Sequence, residues 1–387
     1  MSLVLNTNYS SLVAQDSLST SGSELSSALQ QLSSGLRINT AADDAAGYAI
    51  VQGMTSQING LDQASRNAND GVSLAQTAQG ALTEITNDLQ SMRDLAVQSL
   101  NATNSSQDRA DLNQQFSQLQ ADINNVASTA SFNGVNLLDG SFQGATFQVG
   151  ANVGQTITVS SVASANTSAL GTLYTAVGGA AAAMTAGQTG SLTIGGVSTS
   201  TFTVSGNVAT DAKTVAAAIN QISGQDGGVI ATVNATSGID LSSTTSQTVA
   251  VAVGAGAGAS VTLANLGMIA SYVVTSAGTT TNLNVGSVST VDASNRALAQ
   301  IDASLQQVAA TGAQLGAYQN RFQSAISGLT TDSTNLQSAR SQIQDTDYAA
   351  ATSHLSKAQI LQQASTAMVA QANMIPQNIL TLLQKLP

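Results

Sequence analysis

Leu82-Thr-Glu-Ile85-Thr-Asn-Asp-Leu89-Gln-Ser-Met92-Arg-Asp-Leu-Ala96-Val-Gln-Ser99 places a small or apolar residue at alternating spacings of three and four. Near the other end of the chain Leu298, Ile301, Leu305, Val308, Gly312 and Leu315 repeat the pattern. A repeat averaging about 3.5 residues keeps one face of a helix turned toward a partner helix. The two seams lie about 200 residues apart, so the simplest way to bury both is against each other. A chain whose ends pair while its middle loops out is suited to assembly or display.

Outward from these seams, residues 3–36 read as an amphipathic helix with Leu18, Leu25, Leu29, Leu32 and Leu36 on one face. Ser33-Ser-Gly35 reads as its stop, glycine tolerating a left-handed helix end. Thr40, with Asp43 three residues on, reads as a capping box that opens a second helix running to about Leu100. A polar break at 101–106 separates it from a third helix through Leu112, Phe116, Leu119 and Ile123, which ends at the turn dipeptide Asn133-Gly134. From Phe142 the period falls to two: Phe147 and Val149, then Ile157 and Val159, predict a hairpin.

Residues 141–290 hold four formal charges, Asp211, Lys213, Asp226 and Asp240. Within that stretch 192–204 and 229–233 read as strands flanking a short helix at 211–222, which predicts a small α+β domain over roughly 170–285. After Asp292 the helical seam returns and extends through Phe322, Ile326, Leu329, Leu336 and Ile343. Asp345-Thr-Asp347 interrupts it and caps a last helix, where Leu361, Met368, Ile375 and Leu382 recur every seven residues with Ile379 and Leu386 between. Pro376 is expected to bend that helix. The expected fold is mainly α with a β-rich insert. Its terminal helices have only each other as partners within one chain, and thin polar-flanked helices are marginal alone in water. They are expected to become ordered only when other subunits cover them.

The 387 residues suffice for two or more cores. Charged residues make up 8% of the chain, against about 25% in an ordinary soluble domain. Ser, Thr, Asn, Gln, Ala and Gly take their place, giving helix faces suited to packing against many neighbours. A net charge of −11 with three lysines offers no clustered basic footprint and argues against nucleic acid. Without cysteine there is neither a disulfide framework nor a thiolate metal site. Residues 1–12 lack a basic region followed by an apolar one, so the chain is expected to stay inside the cell or to leave without a cleaved signal. The run 248–274 is apolar enough to suggest a membrane span, but Thr262, Asn265, Ser271 and three close glycines make strands the better reading, with no membrane insertion.

Nothing in the chain assembles a nucleophile, a base and an orienting group. His354 is the one histidine and has no second imidazole with which to share a metal. Asp43 and Asp44 are adjacent on the chain and do not converge on one point, so capping explains them better than acid–base chemistry. Gly254-Ala-Gly-Ala-Gly258 lacks the following Gly-Lys-Ser/Thr of a phosphate loop. No catalytic residue, cofactor or metal is expected.

Specific strings carry a resemblance. Leu32-Ser-Ser-Gly-Leu-Arg-Ile-Asn39, Ala41-Ala-Asp-Asp-Ala-Ala-Gly47 and Asn67-Ala-Asn-Asp-Gly71 resemble the N-terminal signature of bacterial flagellin. Gln319-Asn-Arg-Phe322, Ile343-Gln-Asp-Thr-Asp-Tyr348, Ala358-Gln-Ile-Leu-Gln-Gln-Ala364 and Pro376-Gln-Asn378 resemble its C-terminal signature. The resemblance covers residues 1 to about 165 and 285–387, and the middle is similar to the β-rich modules some flagellins carry.

The resemblance implies terminal inner-tube helices at 1–40 and 347–387, and a helical-bundle domain with a β-hairpin at 41–170 and 285–346. A variable outer α+β domain would occupy 171–284. Leu18, Leu25, Leu29, Leu32, Leu361, Met368, Ile375, Ile379, Leu382 and Leu386 would then pack between subunits of a helical homopolymer. It also implies an extracellular filament for motility, exported by flagellar type III secretion. The implied partners are a flagellin secretion chaperone, a filament cap protein and a hook–filament junction protein. Gln90-Ser-Met-Arg-Asp-Leu-Ala-Val-Gln98 resembles the segment read by the flagellin-sensing Toll-like receptor, with Gln90, Arg93, Leu95, Gln98 and Gln115 as contacts. Ser91 and Gln115 stand where stimulatory flagellins often carry arginine and glutamate, and both departures remove charge. The other class of function left open is a flagellin-like surface receptor or adhesin whose hydroxyl-rich insert binds an extracellular glycan.

Overall fold

The computed structural model describes residues 8–225, 228–234, 236–254, 257–258, 261–268, 271–274 and 279–383. Six α-helices, α1 (Tyr9–Ser34), α2 (Ala45–Ser99), α3 (Ser106–Thr129), α4 (Val208–Asn220), α5 (Val291–Gln344) and α6 (Tyr348–Leu383), dominate the described chain. Short strands fill the middle: β1 (Ser131–Phe132), β2 (Val135–Asn136), β3 (Ala145–Gln148), β4 (Thr156–Val159), β5 (Leu173–Ala176), β6 (Thr189–Gly190) and β7 (Leu192–Ile194). They continue with β8 (Val197–Ser198), β9 (Phe202–Thr203), β10 (Ile230–Val233), β11 (Ile239–Ser243), β12 (Gln247–Val253), β13 (Ser271–Val274) and β14 (Thr279–Thr281).

The chain divides into two compact units. The first comprises Met1–Asn67, Gln148–Gln155 and Ala325–Pro387, and the second Ala68–Phe147 and Thr156–Ser324. In the first, α1 stops where Gly35 takes φ +72° and its N–H donates to Gln31 O at 2.9 Å, the left-handed glycine end expected. The second helix begins later than expected. Asp43 accepts from the backbone N–H of Asn39 and Thr40, and the Thr40 hydroxyl also donates to that carboxylate, so the threonine caps nothing. Asp44 takes the cap instead, accepting from Gly47 N at 2.9 Å, and α2 starts at Ala45. Asp347 caps α6 by accepting from Ala349 N and Ala350 N. That helix runs on through Pro376 to Leu383.

In the second unit Leu82, Ile85, Leu89, Met92, Ala96 and Ser99 are all buried, so the α2 seam is a true core face. On α5 the register differs by one residue. Ile301, Val308, Leu315 and Phe322 are buried, but the positions between them are Ala297, Ser304 and Thr311, while Leu298, Leu305 and Gly312 are half-buried. The reason is a close neighbour. Gly171, at φ +63°, approaches so near that a Cβ there would lie 2.4 Å from Gln300 O, and only a small residue such as Ser304 fits beneath it. Side-chain amides of α3 tie down the returning chain: Asn113 accepts from Val288 N at 2.9 Å, and Gln120 donates to Gly286 O at 3.1 Å. Asn133 and Gly134, both at positive φ, make the tight turn that pairs β1 with β2.

The insert builds its own core. Sheets β10-β11-β5-β14 and β13-β12-β7-β8 join α4 around Leu192, Ile194, Val215, Ile219, Leu241 and Tyr272. The helix starts and ends within three residues of expectation, at Val208 and Asn220. The apolar stretch 248–274 contributes β12 and β13, and among the described residues no helix is long and apolar enough to cross a membrane.

Candidate assembly surface

The terminal helices pair with each other within one chain. They run antiparallel. Asn8 Nδ2 donates to Ala372 O at 2.8 Å, and the Ser11 hydroxyl to Asn373 Oδ1 at 2.8 Å. At the opposite end Arg37 N donates to Gln344 O at 2.6 Å, Thr346 N to Gly35 O at 2.9 Å, and Arg37 Nη2 to Ile343 O. The strings around Leu32–Asn39 and Ile343–Tyr348 are thus hydrogen-bonded partners across the whole length of the sequence.

Inside the pair the buried residues are small: Ser11, Ser21 and Ala28 on α1, with Ala351, Ala358 and Ala372 on α6. Small residues let two helices approach closely. Several large apolar side chains lie partly or wholly outside that seam. Leu18, Leu25 and Leu32 are half-buried, whereas Leu29 is 50%, Leu361 39% and Met368 62% exposed. Ile375, Ile379 and Leu382 fall where side chains are outside the description, and Leu386 lies outside the described residues. Tyr9, Leu12, Val13 and Ile360 join the exposed set, and sequence reading passed over them. The three- and four-residue spacing of Leu12 and Val13 from Tyr9 on α1 was the available signal. Tyr9, Val13, Ala14, Ala364 and Met368 line an open groove of about 470 Å³ along the pair.

On the second unit Gln90, Arg93 and Gln98 of α2 are exposed, as is Gln115 of α3, and Leu95 is half-buried. Arg93 is already engaged: its Nε donates to Asp302 Oδ1 of α5 at 2.9 Å. The hydrogen bond and charge of Asp302 push the guanidinium above its ordinary value. Val97, exposed on the same segment, was not among the expected contacts. His354 is exposed, and no group of three or more metal-ligating side chains occurs among the described residues.

Residues 5–143 match the bacterial flagellin N-terminal helical region, and residues 298–383 the bacterial flagellin C-terminal helical region. Flagellin B of Vibrio anguillarum is 39% identical, the alignment covering 99% of this chain and 100% of that protein. Flagellin B of Vibrio cholerae is 40% identical over the same shares. The B-type flagellin of Pseudomonas aeruginosa is 35% identical, again over 99% of this chain and 100% of the relative.

Proposed function

Because the chain belongs to the bacterial flagellin family and is a structural subunit of the extracellular flagellar filament, we propose that residues 1–40 and 347–387 form the inner tube of that filament. Neighbouring subunits would cover the apolar side chains that the α1–α6 pair leaves uncovered. One observation carries this reading: a helix pair closed by serine and alanine, with Leu29, Leu361 and Met368 on its outside. A filament needs two different patches on each subunit that fit one another without closing a ring. A groove beside exposed apolar side chains supplies both a hole and knobs. In the same proposal 41–170 with 285–346 form the next layer, and 171–284 the variable outer domain. Export through the flagellar type III channel, a secretion chaperone, a cap protein and a hook–filament junction protein belong to the reading through family membership.

Met368→Asp tests the surface. The side chain is 62% exposed in the single chain, so the monomer should melt like the parent. In the filament an unpaired carboxylate would be buried at a cost of several kcal/mol per subunit. Electron microscopy after salting-out should show no filaments. Filaments of ordinary number and length from this variant would remove the groove from the interface.

The segment from Gln90 to Gln98, with Gln115, is proposed as the surface read by the flagellin-sensing Toll-like receptor. Arg93 supports it by its exposure, and the receptor has to compete with Asp302 for the guanidinium.

A further inference from the structure

A second cavity, of about 310 Å³, lies between the β10-β11-β5-β14 sheet and the first turns of α5. Asp240 of β11 and Arg296 of α5 both line it, yet they form no ion pair with each other. Asp240 is held rigidly, because its Oδ1 accepts from Gly178 N at 2.8 Å and Asn234 Nδ2 at 2.9 Å. Its Oδ2 has no donor among the described residues, and Arg296 has no partner there either. Both charges are thus unspent. Thr175, Thr281 and Ser287 add hydroxyls to the wall. Val177 and Val285, 61% and 62% exposed, also line the cavity and add apolar surface.

Two opposite charges that share a cavity without touching are complementary to a ligand carrying both. From this we infer that the cavity binds a free α-amino acid with an apolar side chain. The carboxylate pairs with Arg296, for which the planar guanidinium offers a two-point fork. The ammonium pairs with Asp240 Oδ2, and the side chain packs against Val177 and Val285. A cavity at the lower end of the usual range for small-molecule sites suits so compact a ligand. A mono-anion would leave Asp240 facing its own chain unpaired, and an amine would leave Arg296 so.

The test uses the full-length chain as monomer and titration calorimetry with three probes: L-leucine, 4-methylpentanoate and isopentylamine. L-Leucine is expected to bind saturably, and each half-ligand about tenfold to a hundredfold more weakly, as for loss of one charged hydrogen-bond pair. Arg296→Gln should weaken L-leucine by a similar factor. Asp240→Asn should bring L-leucine and 4-methylpentanoate to about the same affinity. No saturable binding of L-leucine overturns the inference. Equal binding of L-leucine and 4-methylpentanoate to the parent chain overturns it too, and that comparison needs no variant to fold.

Discussion

Gly71 shows how one residue's identity is set by a partner far along the chain. A Cβ there would lie 2.5 Å from the ring of Phe322, which is fully buried and meets Phe147 edge-on at a centroid distance of 5.3 Å. Gly71→Ala gains about 1 kcal/mol of helix propensity. Overpacking against a ring with no free volume costs about 1–3 kcal/mol or more. The clash should win, with net destabilisation of about 1 kcal/mol in urea unfolding, and Phe322→Leu should restore part of it. A Gly71→Ala chain as stable as the parent would show that the ring can move. Gly47 has the same logic, since its Cβ would meet Ile38 Cδ1 at 2.7 Å. Arg93 differs because it is exposed. Its ion pair with Asp302 is a surface pair, worth about 0–1 kcal/mol. Arg93→Ala should therefore leave the melting temperature nearly unchanged while weakening monomer signalling in a Toll-like receptor reporter by about tenfold. Undiminished signalling would remove Arg93 from that surface.

Between elements, α2 and α3 face each other partly through like charge. Burial, then Asp122 of α3, then Glu84 of α2, push the Asp88 carboxyl above its ordinary value of 3.8. The folded chain therefore holds this proton more tightly than the unfolded chain does. Its stabilising contribution is complete below 3.8 and is lost as pH rises through the raised folded value. At neutral pH the charged carboxylate weakens the helix pair. Asp88→Asn should raise the melting temperature at about pH 7 and have little effect at about pH 3. The same increment at both values would mean that packing, not charge, separates the variants. The insert's α4 is secured differently: buried Asp211 accepts from Ser205 N, Gly206 N and the Ser205 hydroxyl. No counter-charge is needed where three donors converge.

At the scale of the whole chain, the insert is entered and left through adjacent strands. β5 and β14 are antiparallel neighbours, with Thr175 opposite Thr279 and Leu173 opposite Thr281. Removing 176–278 and joining Thr175 to Thr279 through Asn-Gly would ask for a tight turn between strands already paired. The insert's core, from Met184 to Tyr272, goes with the deletion, and the seam residues of α2 and α5 stay. The shortened chain should polymerise, as seen by electron microscopy, and should lose L-leucine binding along with Asp240. Failure to fold would place the insert within the scaffold.

The sequence by itself determined the helices, their approximate ends and the α2 seam, because a three-four spacing that is local and long needs no partner to be read. It also carried the family, through strings whose glycines answer to a left-handed helix end at Gly35 and to close side chains at Gly47 and Gly71. It could not determine which apolar residues the chain covers itself. Leu361 and Met368 share a heptad with any core helix, yet Ser11, Ser21 and Ala28 close the pair and leave them outside. On α5 periodicity favoured Leu305 over Ser304, and only the approach of Gly171 reversed that choice. Asp240 and Arg296 belong to no motif. A sheet register and a helix start bring them to one cavity, and such a juxtaposition exists in the tertiary structure alone, because packing rather than local spacing creates it.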